Sequence, residues 1–125
     1  MCNVTPGTIA GLTETLDRYG TLSLKEVIEP AAKVAEEGFV AGWAVAAAIM
    51  RRMKAFSQFP EWKRIYMQEG EWPYLPYSTA MAKPQLLVNK DLAKSLRAIV
   101  KEGAEVFYKG WIAEEITKEL EQGGG

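Results

Sequence analysis

Asn89-Lys90-Asp91-Leu92-Ala93-Lys94-Ser95-Leu96-Arg97-Ala98-Ile99-Val100-Lys101-Glu102-Gly103, followed by Ala104-Glu105-Val106-Phe107-Tyr108-Lys109-Gly110, decides how this chain is read. Leu92, Leu96, Ile99 and Val100 recur at helical spacing and form one apolar face. Asn89 stands where a cap belongs and Gly103 where a helix stops. Phe107 and Tyr108 are read as anchors against a neighbouring layer, because aromatic side chains at helical spacing are usually core. A further helix carries Ile112, Ala113, Ile116 and Leu120, and Gly123-Gly124-Gly125 closes the sequence.

The same period runs upstream. Ile9, Leu12, Leu16 and Tyr19 draw an apolar stripe ahead of Gly20. Ser23 and Glu26 then stand three apart, as a capping box requires: the hydroxyl accepts from a helical N–H while the carboxylate reaches back. Leu24, Val27, Ile28, Ala31, Ala32 and Ala35 continue as one face up to Gly38. Pro30 lies inside that run and removes a backbone donor, so a kink or short break is expected there. Gly20, Gly38 and Gly103 are expected to be helix stops in the left-handed region, and Gly11 a point of close helix contact.

An alanine-rich helix is expected from Trp43 to Phe56, with Val45, Ala46, Ile49, Met50, Met53 and Phe56 on one side. Pro60 suits the first turn of a short helix through Tyr66. Residues 68–88 hold Gly70, Pro73, Pro76 and Pro84 and read as an irregular connection. Trp72, Tyr74, Leu75 and Tyr77 make it too apolar for a free loop, and Leu86–Val88 is its one strand candidate. The expected architecture is mainly α, with about five to six helices, and 1–125 as a single partial domain.

Composition narrows the chemistry. Fifteen basic residues balance sixteen acidic ones, giving a net charge of −1 and no global field towards nucleic acid or anionic membrane. The local group Arg51, Arg52, Lys54, Lys63 and Arg64 reads as a solvated helix face. The sequence contains no histidine, which removes the commonest general base and any Ser–His or Cys–His pair. Its single cysteine, Cys2, permits no internal disulfide and no Cys-based zinc site. As an N-terminal nucleophile after methionine removal, Cys2 would need oxyanion donors, yet Pro6-Gly7 and a helix follow it. Adjacent carboxylates such as Glu36-Glu37 and Glu114-Glu115 diverge around a helix and cannot grip one atom together. No catalytic, substrate-binding or metal-binding residue is assigned, and no cofactor. No basic n-region with an apolar core opens the sequence, and the apolar run Phe39 to Met50 is too short to span a bilayer. The sequence names no compartment.

Four blocks, in order, resemble the large subunit of the γ-glutamyltransferase (glutathione hydrolase) family. They are Thr5-Pro6-Gly7-Thr8-Ile9-Ala10-Gly11-Leu12, then Tyr19-Gly20-Thr21-Leu22 with Glu29-Pro30-Ala31-Ala32 and Ala35-Glu36-Glu37-Gly38-Phe39. The third is Asp91 to Gly110, similar to D-L-A-x-[ST]-L-x-x-I-x-x-x-G-x-x-x-F-Y-x-G, and the fourth is Gly123-Gly124. Ala32 replaces a larger aliphatic residue, and 68–88 matches nothing specific.

The resemblance implies an internal piece of an N-terminal-nucleophile hydrolase: the helical region of an αββα sandwich whose sheets lie outside this stretch. It also implies an enzyme that cleaves or transfers γ-glutamyl groups of glutathione-like amides, using the N-terminal threonine of a small subunit as nucleophile and its amine as local base. That threonine lies in a Thr-Thr-His context, which a chain without histidine lacks. The family's carboxylate-gripping arginine lies in an Arg-Glu context, and Arg18, Arg51, Arg52, Arg64 and Arg97 are not so placed. The expectation is a structural piece, inactive alone, partnered by the rest of the large chain and the small subunit or self-associating through exposed apolar faces. The alternative is a stand-alone, non-catalytic helical interaction module. Neither reading involves nucleic acid or membrane insertion.

Overall fold

The computed structural model describes residues 6–74 and 86–123. Seven helical segments dominate them: α1 (Thr8–Tyr19), α2 (Leu24–Glu37), α3 (Trp43–Phe56), α4 (Pro60–Tyr66), α5 (Lys90–Glu102), α6 (Glu105–Lys109) and α7 (Trp111–Gln122). Four two-residue strands accompany them: β1 (Phe39–Val40), β2 (Met67–Gln68), β3 (Trp72–Pro73) and β4 (Leu86–Leu87). The fold is mainly α, as the periodicity indicates, with one more helix than the pattern suggests. The addition is α6, whose five residues are too few to display a period.

The helix boundaries follow local chemistry. The Ser23 Oγ accepts from the Glu26 N–H at 3.3 Å, and a Glu26 carboxylate oxygen accepts from the Ser23 N–H at 2.8 Å. That reciprocal pair is the expected capping box. Of the kink or short break expected at Pro30, the break is absent: α2 runs through it from Leu24 to Glu37. A proline removes one backbone donor there, and the remaining intrahelical bonds with the burial of Ala32 and Ala35 hold the helix in register.

Gly38 and Gly103 end α2 and α5 with φ of +83° and +78°. Gly20 does not share this conformation: its φ is −80° and ψ 154°, so α1 ends by turning into extended backbone. A side chain is excluded at Gly20 by space instead, since a Cβ would lie 2.5 Å from the Leu16 carbonyl oxygen. Gly11 also departs from expectation, because a Cβ there would meet nothing within 4 Å.

The chain divides into two compact units, Met1–Ala32 with Asp91–Gly125, and Lys33–Lys90. In the first, Ile99, Val106 and Ile112 form the core, and Ile9, Leu24, Ile28, Phe107 and Trp111 pack around it. In the second, Ala41, Ile49, Tyr74 and Leu87 form the core, flanked by Trp62 and Tyr66. Its ladders are antiparallel: β1 pairs with β4 in the register Phe39↔Leu87, and β2 with β3 in the register Met67↔Pro73. The connection read as irregular thus contributes β3 and β4 to these ladders, and Asn89 N–H donates to the Ala35 carbonyl at 2.8 Å. Leu75, Pro76, Tyr77 and Pro84 lie outside the described residues, as do Cys2, Thr5 and Gly124.

Candidate functional site

The features that could carry function in the first unit begin with Tyr108. Its hydroxyl accepts from the Ala10 N–H at 3.0 Å and donates to the Pro6 carbonyl at 2.7 Å. Gly7, the N-cap of α1, has no side chain and makes no side-chain cap. The N–H of the third helical residue, which a cap side chain normally satisfies, is therefore satisfied by a phenol from α6. The anchor role expected of Phe107 and Tyr108 divides between them: Phe107 packs on the core, and Tyr108 joins the first and third sequence blocks by hydrogen bonds.

Two charged contacts reinforce this unit. Arg97 donates to Glu29 at 3.3 Å between α5 and α2, with both side chains about 40% exposed (39% and 41%). The Lys94 ammonium lies 4.8 Å from the centre of the Trp111 ring, within cation–π range. Neither arrangement resembles an acid–base pair. Among the described residues no three His, Cys, Asp or Glu side chains cluster to hold a metal, and no buried polar side-chain atom lacks a partner.

Two perturbations of acidity fall on surface pairs. Hydrogen bonds from Ser23 hold the Glu26 carboxyl below its ordinary value, and the Glu105 carboxylate raises the Lys109 ammonium above its own. Both stabilise helices. Neither faces a cavity.

Grooves on the described surface include the following three. One in the first unit, about 460 Å³, runs between α1, α2 and α5, with Leu12, Leu16, Tyr19, Leu24, Val27 and Leu96 in its walls. A second, along α7, is bordered by Ile116, Leu120, Glu115 and Glu119. The third, in the second unit, has Ala44, Ala48, Arg52, Trp62 and Tyr66 in its lining. Phe56, Trp62 and Tyr66 stack along its flank with centroids 6.0 and 5.6 Å apart. Arg52 from the basic group thus edges an aromatic groove, while Arg64 of the same group pairs with Glu61 at 2.8 Å. Among the described residues no chemistry-bearing constellation emerges; packing surfaces do.

Comparison with known proteins gives these surfaces a context. The family model described as gamma-glutamyltranspeptidase matches residues 3–125. The chain belongs to the γ-glutamyltranspeptidase family. It is 38% identical over 122 residues to the glutathione hydrolase proenzyme of Escherichia coli, which covers 97% of this chain and 20% of that protein. Similarity extends to the capsule biosynthesis protein CapD proenzyme of Bacillus anthracis, 34% identical over 113 residues, or 90% of this chain and 20% of the relative. Among solved structures, γ-glutamyltranspeptidase from Helicobacter pylori superposes with a TM-score of 0.83 at 34% identity, covering 94% of this chain and 32% of that one. The chain thus spans about a fifth of the length of the curated relatives it matches.

Proposed function

We propose that this chain is the helical, non-catalytic part of a γ-glutamyltranspeptidase-type large chain, and that it supports polypeptide elsewhere in the enzyme that carries the nucleophile. The supporting observation is the match over almost its whole length to one part of much longer relatives, with the fold retained at a TM-score of 0.83. The absence of histidine from its sequence fits the same reading, since the Thr-Thr-His nucleophile context of the resembling family then has no place in it. The activity proposed for the assembled protein is cleavage or transfer of γ-glutamyl groups from glutathione-like amides. Its partners are the remaining large-chain polypeptide and the small subunit. In this role no residue of the 125-residue chain touches substrate, so its catalytic, substrate-binding and metal-binding sets are empty.

The test is direct. The 125-residue chain, incubated with a chromogenic γ-glutamyl anilide, is expected to release no more chromophore than a heat-killed control. Turnover above that control by the purified chain would overturn the assignment.

A further inference from the structure

Of the three grooves, the one between α1, α2 and α5 differs in kind. The other two have Arg52, or Glu115 and Glu119, in their linings and so present charge to solvent. The α1–α2–α5 groove has no charged residue in its lining; its polar side-chain groups are the hydroxyls of Thr13, Thr15 and Tyr19. Along α1 the charges Glu14, Asp17 and Arg18 avoid the groove, and Glu14 pairs with Arg18 instead.

Meanwhile α1 carries an apolar stripe but has no buried residue. Leu12 is 64% exposed, Tyr19 80% and Val27 47%. Ile9 and Leu16 are half-buried, but a helix patterned for one-sided burial that leaves every residue at least partly exposed is an unfinished contact. Contiguous exposed apolar surface of this sort marks an interaction site.

We infer that the α1–α2–α5 groove is the seat for an uncharged, apolar polypeptide surface from the other four-fifths of the γ-glutamyltranspeptidase fold. This rests on the supporting role proposed above. The argument for that occupant is chain length. The same helices keep their arrangement inside the Helicobacter pylori enzyme, of whose chain they make up only 32%. A second copy of this chain is the competing occupant. A charged ligand is not served, because the walls offer it no counter-charge and only three hydroxyls, of which that of Thr15 already donates to the Gly11 carbonyl.

The decisive property is that Leu12 and Val27 are dispensable to the chain alone and necessary to assembly. Leu12→Glu and Val27→Glu in the 125-residue chain are expected to leave helicity and thermal midpoint within a few degrees of the parent and to remove binding of a hydrophobic dye. Next, the matched segment of the Escherichia coli glutathione hydrolase proenzyme is replaced by this chain. Glutathione hydrolysis by that graft is expected to fall at least tenfold with Leu12→Glu and to stay unchanged with Arg52→Glu in the α3–α4 groove.

If the unsubstituted graft assembles and hydrolyses glutathione but Leu12→Glu leaves it untouched, the groove assignment is wrong while the supporting role stands. If the unsubstituted graft itself fails to assemble, the supporting role fails and takes the groove with it. A stable dimer of the isolated chain that Leu12→Glu dissolves, together with an insensitive graft, assigns the face to a second copy and overturns the inference.

Discussion

Tyr108 shows how one side chain can do two jobs at sequence separations of about a hundred residues (98 to Ala10 and 102 to Pro6). Its ring sits edge-on to Phe107, with centroids 5.1 Å apart, while its hydroxyl closes the start of α1. Phenylalanine at 108 would keep the ring and delete the cap. Because both hydrogen bonds lie near solvent, water can replace part of the loss. Tyr108→Phe is therefore expected to cost about 0.5–1.5 kcal/mol. Native-state hydrogen exchange should localise the effect, with the Ala10 amide speeding up more than amides in α5. A uniform change across the unit would contradict a capping role.

At the scale of elements, α2 is bounded by two devices of different kind. Its start is electrostatic and local: the Ser23 hydroxyl and the Glu26 carboxylate each accept from the other's backbone N–H in a reciprocal box. Its end is conformational, since Gly38 takes a φ of +83° that L side chains rarely adopt. A Cβ at Gly38 would also lie 2.6 Å from Val88 Cγ2 and 2.9 Å from Leu86 Cβ, so the same glycine lets β1 approach β4. The start is titratable and the end is not.

Glu26 has a folded pKa below its ordinary value of 4.5, first through the Ser23 hydroxyl and second through the Ser23 backbone N–H. A lowered folded pKa means that the contribution is present above the unfolded value and is lost as pH falls through the folded one. Helicity of the chain should therefore drop on acidification below about pH 4.5, and Glu26→Gln should flatten that part of the curve. Ser23→Ala is expected to cost about 0.5–2 kcal/mol near neutral pH. An acid limb unchanged in Glu26→Gln would remove the box from the account.

Over the whole molecule, burial is thin. The residues with least exposure are mostly alanines, namely Ala32, Ala41, Ala46 and Ala93, and no large side chain among the described residues is fully enclosed. Each unit therefore rests on a few branched aliphatics. Ile99 is 2% exposed at the centre of the first unit, and Ile49 6% in the second. Truncating a buried isoleucine to alanine costs about 2–5 kcal/mol, a large part of the 5–15 typical of a whole domain. Ile99→Ala is expected to lower the thermal midpoint sharply, with loss of the signal from Trp111, and Ile49→Ala with loss of that from Trp62. Midpoints that stay within a degree or two of the parent would show that these are not the cores.

Much of this was legible in the residues themselves. The period of Leu92, Leu96, Ile99 and Val100, the Ser23–Glu26 spacing and the stops at Gly38 and Gly103 determined five long helices and one short one, because hydrophobic period and capping are local properties. The ordered blocks determined lineage, and the missing histidine means that these 125 residues supply no catalytic histidine. The β4 strand falls within the Leu86–Val88 candidate, but the tertiary structure alone decided α6, the other three two-residue strands and the pairing of all four, since segments this short gain their stability from neighbours and not from propensity. It alone placed the Tyr108 hydroxyl on α1, and it corrected Gly11 and Gly20. It also separated one uncharged groove from two charged ones, a distinction that depends on which faces meet and cannot be read from the order of residues along the chain.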